Sequence, residues 1–407
     1  MTSLVQVVGF GPASLGLPVS ADRLGIIETL FRQGMLFVDS HSCWEHIEES
    51  RLHYLIPSNS IGADFICGIY PFGTFAASLQ SPAYTRIAAQ GREPVPLQWV
   101  TGLLRNLQDN LLQRMQNYPR CAVRLGKRVR NVCQQRDGTF ISFDDGGEPI
   151  AQTKCVVLAT GGAEKTLPER STNPVLLSNA VLRGHFGDLE NWINEGRRIL
   201  IRGGSHSGYS VAYVLLRHFG NRLAARQVAI AARNTKLYYR SMLDACADNY
   251  CFQGLDLYPE TFEVNKFNGL RGAAKDVHQS IVRGKEIRVY LQANASAPIS
   301  ANDVVVHALG YRTREVPFMN AEGAPIPLRK QGGMVCVSSH SEVLQENGAP
   351  LKGVFGLGLG YAPVDARGER QVGLNFFHGD HAERIVRRIQ DFAVHEDLSR
   401  SSIDARI

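Results

Sequence analysis

The chain contains two apolar segments that each run into a glycine-rich turn and then into a helical pattern, one turn opening at Gly9 and the other at Gly203. Few folds accommodate such a unit, because a strand, a tight turn and a helix facing a ligand with its N-terminus require a parallel sheet with helices packed on it. In the first unit Val5 to Leu17 reads VQVVGFGPASLGL, with Gly9, Gly11 and Ser14 at the G-x-G-x-x-G spacing. Gly9 makes the turn, Gly11 lets the backbone approach a pyrophosphate, and Ser14 keeps helix and strand close. Pro12 and Ala13 open the helix, where a proline gives up an N–H that has no intrahelical partner anyway. Pro18 removes an interior hydrogen bond, and a kink is expected there. The next apolar run, Met35 to Val38, closes in Asp39 and Ser40, placing a carboxylate where a ribose hydroxyl is bound. The order of strand, turn, helix, strand and acid separates this unit from a chance glycine-rich turn.

The second unit reads RILIRGGSHSGYSVAYVLL from Arg198 to Leu216. Gly203, Ser205 and Gly208 take the three fingerprint positions, and His206 and Ser207 open the helix. Ser205 stands where the middle glycine usually stands, which predicts a looser backbone approach to a pyrophosphate. The strand that follows, Gln227 to Ala232, ends in Arg233 rather than an acid, with Lys236 three residues on. An acid favours a free ribose 2′-hydroxyl, whereas arginine accepts a 2′-phosphate through forked, charge-assisted hydrogen bonds. The second site therefore reads as one for NADPH over NADH, the alternative being a degenerate lobe that binds no nucleotide.

With 407 residues the chain exceeds one ordinary core and is expected to form two or three domains. Its 44% hydrophobic and 20% charged residues exclude a disordered chain. No run reaches the roughly 18 apolar residues that span a bilayer, and the first strand starts too close to Met1 for a secretory leader. A cytoplasmic protein with no membrane partner is expected. The net charge of +6 is scattered rather than gathered in a stripe, which suits anionic cofactors and does not argue for nucleic acid. The 8 cysteines include no C-x-x-C pair or zinc-ligand spacing, and the 12 histidines form no H-x-x-x-H, so metal catalysis has no support. Cys246 and Cys251 have the spacing of a redox pair but lie beyond the second turn, away from the first.

Between Asp39 and Leu97 runs a long irregular stretch containing HYLIPSNSIGADF at His53 to Phe65. Loops of this length inside a compact enzyme are usually functional. A helix is predicted over Leu97 to Met115, followed by strands around Arg124 to Val132, Thr139 to Phe143 and Lys154 to Leu158, with a hairpin signal at Asp137-Gly138. The third strand ends in Leu158-Ala159-Thr160-Gly161-Gly162, and the same kind of ending recurs where Asp303 to Ala308 closes in Leu309-Gly310-Tyr311-Arg312. A last glycine-punctuated strand, Val354 to Gly360, precedes a basic amphipathic helix over Gln371 to Ile389. The pattern reads as an α/β fold with two Rossmann-like dinucleotide-binding domains, residues 168–309 inserted into a domain made of 1–167 and 310–407.

Gly9-Phe10-Gly11-Pro12-Ala13-Ser14-Leu15, the turn Ala159 to Gly161, the turn Gly203 to Gly208 and the turn Ala308 to Tyr311 together resemble the two-dinucleotide-binding-domain flavoproteins. Within that group the chain is most similar to the N-hydroxylating flavin monooxygenases of lysine and ornithine side-chain amines, chiefly through its G-F-G-P-A-S-L start and Ser207-Gly208. The resemblance implies FAD in the first domain and NADPH in the inserted one. It also implies a reaction in which NADPH reduces FAD, O2 adds at flavin C4a, and one oxygen passes to a nucleophilic amine of a small molecule. Trp44 and His46 echo only loosely the family's pattern after the acidic strand end. The F-x-G-x-x-x-H of Baeyer–Villiger-type enzymes is missing ahead of Gly203, and Tyr239 to Arg271 matches no substrate motif.

Candidates near the flavin follow from position. Ser58, Asn59 and Ser60 offer donors and acceptors to a ring edge, or serve as turn residues after Pro57. Asn375 is placed to direct backbone N–H groups at the pyrimidine end of the flavin, or to cap a helix. Thr160, Gly161 and Gly360 belong to backbone turns beside the FAD site. His206 and Tyr311 are candidates for the nicotinamide approach, or buried structural groups. Of these, Asn59, Ser60 and Asn375 are the catalytic candidates. Two alternatives to the monooxygenase stay open, an FAD/NADPH oxidoreductase passing electrons to another acceptor and a non-catalytic flavin-binding subunit. A homo-oligomer is also compatible with the sequence.

Overall fold

Strand β1 (Ser3–Val8) is buried along its whole length, as a strand covered on both faces must be. The computed structural model describes residues 2–43, 53–168, 173–293, 299–365, 367–371 and 379–404, with side chains up to Ala393 in the last helix. From β1 the chain turns at Gly9 into α1 (Pro12–Arg23), and β2 (Met35–Val38) returns parallel to β1 with Val8 opposite Val38. Helix α1 runs through Pro18 to Arg23 as one element, held by the burial of Leu15, Leu17 and Val19. Here tertiary packing outweighs the lost hydrogen bond.

The long loop forms a small two-stranded sheet from β3 (Pro57–Ile61) and β4 (Pro94–Pro96). It leads into α2 (Leu97–Met115), which buries Val100, Leu103, Leu104, Leu107, Leu111 and Met115 at helical spacing. Strand β5 (Ala122–Arg124) extends the sheet beyond β2. Then β6 (Val129–Gln134), β7 (Phe140–Asp144) and β8 (Pro149–Leu158) form an antiparallel meander, and β8 also lies parallel to β1 on the side away from β2.

The chain leaves this sheet through β9 (Gly162–Glu164). It then builds a second sheet from β10 (Val175–Leu177), β11 (Ile199–Arg202), β12 (Val228–Ala231), β13 (Val289–Gln292) and β14 (Val304–His307). Its helices include α3 (Ser178–Leu182) after β10, α4 (His206–Phe219) between β11 and β12, and α5 (Gly272–Val282) before β13. All pairs in this sheet are parallel, in the order β10-β14-β11-β12-β13. The strand order reverses at β11, and ligands of open α/β sheets bind at the strand ends beside such a switch.

Strand β15 (Tyr311–Thr313) pairs antiparallel with β9, Tyr311 opposite Glu164, so both crossings between the sheets form one ribbon. Back in the first sheet, β16 (Pro350–Gly356) lies parallel to β8. It ends at Gly356 rather than running on to Gly360, because Gly358 has φ +91° and the next residues form a 3-10 turn. Helix α6 (Asp380–Asp404) closes the fold. One face of the first sheet packs with α1, α2 and α6 through Val7, Val157, Leu15, Leu107 and Ile385. The other face, through Val8, Val156 and Leu158, packs against Phe140 and Phe318. The second sheet has its own core around Ile201, Tyr209, Val211, Ile230 and Val306.

Candidate nucleotide sites and the seam between them

The two glycine turns are built alike. Gly9 N–H donates to Val38 O at 2.8 Å, and Gly203 N–H donates to Ala231 O at 3.1 Å. A Cβ on Gly9 would lie 2.4 Å from Ala159 O, and one on Gly203 would lie 2.1 Å from Ala308 O. Both glycines have positive φ, +100° and +127°, so glycine is required twice over. Gly11 caps α1 at φ −104°, ψ −169°, and Ser205 caps α4 at φ −104°, ψ −172°. Ser205 therefore occupies the middle-glycine position without backbone strain, and its exposed side chain stands where a phosphate would approach.

Around the first turn the expected residues converge. Asp39 is buried, and its Oδ2 accepts Phe10 N–H at 2.7 Å while its Oδ1 accepts His41 N–H at 3.0 Å and lies 2.7 Å from His41 Nδ1. Ser14 Oγ donates to Gly11 O at 2.7 Å, and Pro12 holds the first turn of α1. The C-terminal segment closes on the same place, since a Cβ on Gly358 would lie 2.8 Å from Ala13 Cβ and one on Gly360 would lie 2.5 Å from Gly161 O. Thr160 Oγ1 donates to Arg314 O at 2.6 Å. A cleft of about 1120 Å³ opens here, lined by Gly9, Asp39, Ser40, Thr160 and the cationic Lys127, Arg128, Arg312 and Arg314. A helix N-terminus, a buried carboxylate and the arginines of this cleft match the pyrophosphate and ribose of a dinucleotide, while Lys127 is paired with Asp144 at 2.7 Å. Sequence reasoning missed Arg312 and Arg314. The signal was the pair of arginines flanking Thr313 just after the glycine turn, all three of which line the cleft.

In the second domain, the ladder places Ala232 where the first has Asp39. A Cβ on Gly204 would lie 2.2 Å from the Ala232 methyl, so those two small residues pack together. Arg233 is one residue further on and exposed, free to reach outward. Lys236 is ion-paired to Asp256 at 2.7 Å. Gly208 is confined by Gly203 O, which a Cβ there would meet at 1.9 Å.

The two halves meet along a seam. Asn59, exposed on β3, places its Nδ2 at 3.5 Å from His206 Nδ1, while His206 Nε2 lies 2.9 Å from Gly269 O. The Nε2–H tautomer satisfies both contacts, with Nδ1 accepting from Asn59. Burial, and then the charge of Arg271, lower the pKa of His206 against the opposing Gly269 hydrogen bond. Ser58 is buried and its hydroxyl is spent within the loop, donating to Ser60 O at 2.5 Å and accepting from Val95 N–H at 3.0 Å. Its side chain ties β3 to β4, and Ser60 contributes its carbonyl to that tie. Tyr311 lies in the crossing ribbon, where its hydroxyl donates to Asn179 Oδ1 at 3.1 Å. Asn375 lies outside the described residues. Cys246 and Cys251 are both exposed free thiols. Among the described residues no cluster of ligands suits a metal ion and no helix is long and apolar enough to cross a membrane.

Two solved structures share this arrangement over nearly their whole length. L-lysine 6-monooxygenase from Pseudomonas syringae superposes with a TM-score of 0.60 over 96% of this chain and 100% of its own, at 15% identity. The ornithine N-hydroxylase of Kutzneria sp. 744, solved with reduced FAD, NADP+ and L-ornithine, gives a TM-score of 0.58 over 96% and 99%, at 14% identity. The chain has the fold of the N-hydroxylating flavin monooxygenases. In sequence, this member of that fold is 27% identical to the CMP-5'-(3-aminopropyl)phosphonate hydroxylase of Streptomyces rubellomurinus, across 90% of this chain and 92% of that protein. No family model matches the chain.

Proposed function

We propose that the protein is an FAD- and NADPH-dependent monooxygenase that uses O2 to hydroxylate an amine nitrogen of a small molecule. The observation that carries this reading is the pair of phosphate turns built alike, with the loop after the first unit brought onto the second turn by Asn59 and His206 at 3.5 Å. FAD belongs to residues 1–167 and 310–407, with Gly9, Gly11 and Ala13 beside the pyrophosphate and Asp39 toward the ribose. NADPH belongs to 168–309, with Gly203, Ser205, Ser207 and Gly208 at its pyrophosphate and Arg233 reaching for the 2′-phosphate. The bound flavin supplies the redox chemistry and oxygen activation. The chain itself binds and orients both nucleotides and, through the seam, shields the reacting edge from water. An enzyme drawing on NADPH in this way suits the cytoplasm. The 27% identical relative makes an ω-amine carrying a phosphonate the first substrate to try.

The test is NADPH oxidation in air by the purified flavoprotein, with L-lysine, L-ornithine and a CMP-linked aminopropylphosphonate as acceptors of oxygen. The expected result is one hydroxylated amine per NADPH with one of them, unchanged in a Cys246→Ser, Cys251→Ser double variant. Oxygen-independent electron transfer to a disulfide or carrier protein, or abolition of turnover by the cysteine changes, would replace this reading with the oxidoreductase.

A further inference from the structure

Asn179, on α3, collects two hydrogen bonds at one atom. Its Oδ1 accepts Tyr54 OH at 2.9 Å and Tyr311 OH at 3.1 Å. Its backbone N–H donates to Glu164 Oε1 at 3.0 Å, and the same carboxylate oxygen accepts Ser178 Oγ at 2.5 Å. Glu164 and Tyr311 are opposite each other in the ribbon that carries the chain between the sheets. Tyr311 closely follows Ala308, whose carbonyl confines Gly203 of the second turn. Tyr54 lies a few residues before β3, which carries Asn59 onto His206. Arg183, also following α3, lies 5.5 Å from the centre of the Tyr54 ring and holds that side chain from its face. The contacts close a circuit, from Gly203 through Ala308 and the ribbon to Tyr311, Asn179 and Tyr54, and back through β3 to His206.

We propose that Asn179 is a positioning residue that sets the second phosphate turn against the loop facing the flavin. One arm, through Tyr311 and the Ala308 carbonyl, fixes Gly203 at the turn before α4, where a phosphate would be held. The other, through Tyr54, fixes the loop that presents Asn59 to His206. A side chain that accepts from both arms makes their positions interdependent, because neither phenol can move without surrendering its acceptor. Asn179 need not touch either nucleotide. This inference rests on reading the second turn as an NADP site.

The arms separate by experiment on the flavin-loaded protein, without an amine substrate. Titration calorimetry with NADP+ reports the phosphate turn, and anaerobic bleaching of the flavin by saturating NADPH reports alignment across the seam. Tyr311→Phe keeps the ring but removes the hydrogen bond to Asn179, and is expected to weaken NADP+ binding about fivefold. Tyr54→Phe is expected to leave NADP+ affinity unchanged and slow flavin reduction about fivefold. Asn179→Leu should show both effects, with flavin content equal to the parent in all three. Parental NADP+ affinity in Tyr311→Phe, or a parental reduction rate in Tyr54→Phe, would overturn the proposal. Parent protein that neither binds NADP+ nor is reduced by NADPH would instead overturn the reading of the second turn.

Discussion

The phosphate turns at Gly9 and Gly203 share a backbone and differ in what supports them. Their helix caps agree within a few degrees, φ −104°, ψ −169° against φ −104°, ψ −172°. Each turn glycine is forced by a carbonyl of the strand beside it, Ala159 in one and Ala308 in the other. Beneath the first turn Asp39 reaches back to Phe10 N–H, and Phe10 itself is buried with its ring 4.6 Å from Phe37. Beneath the second the corresponding pair is Gly204 and Ala232, in direct contact and without a charge. The difference teaches that the turn's shape comes from the parallel ladder and the close-approach glycine. The first site uses a buried carboxylate to brace its turn, and the second sends an exposed arginine outward instead.

The largest expected effect tests the shared backbone. Gly11→Val fits its extended dihedrals, so the protein should fold, but the branched side chain would occupy the phosphate path and bound flavin should fall to under about a tenth. Ser205→Val at the matching position should weaken NADP+ only about threefold, since a side chain already stands there. Flavin absorbance of the purified proteins and NADP+ titration check the pair, and full flavin retention by Gly11→Val would break the assignment of the first site. The strand ends come next. Arg233→Ala should raise the KM for NADPH about tenfold or more and leave NADH nearly unaffected, as loss of a charge-assisted contact of roughly 1.5–3 kcal/mol requires. Equal losses with both cofactors would make Arg233 structural.

The smallest effect separates Pro12 from His206, the first helical residues of the two turns. Burial holds the folded pKa of His206 below its ordinary value. As pH falls through about 6.5 the unfolded chain takes up a proton that the folded chain refuses, so stability drops. His278 and His381 are lowered by burial in the same direction. The melting temperature should therefore decline between pH 7.5 and 5.5, and His206→Gln should make that decline shallower without removing it. An identical slope in the variant would show that His206 is not held neutral by the seam.

Both strand–turn–helix units were legible because their determinants are local. Glycine spacing, apolar runs and the acid at Asp39 fall within short stretches, and α2 matched its apolar periodicity from Leu97 to Met115. Strand ends were less legible. The position matching Asp39 is Ala232 rather than Arg233, because inter-strand register, not the end of an apolar run, defines it. Ser58 reads as a ligand for the flavin edge but spends its hydroxyl on Ser60 and Val95, a pairing set by how the long loop folds on itself.

By itself the sequence determined that there are two glycine-rich strand–turn–helix units, that both require parallel sheets, and that the apolar run after one closes in an acid and the run after the other in a base. The tertiary structure alone decided what stands between them. Tyr54 and Tyr311 meet at Asn179 across 125 and 132 residues of chain, and Asn59 meets His206 across 147. Tyrosine and asparagine have no periodicity that announces a partner so far away. Their hydrogen bonds exist only because the crossing ribbon and two separate cores fix those atoms within 3.5 Å of one another.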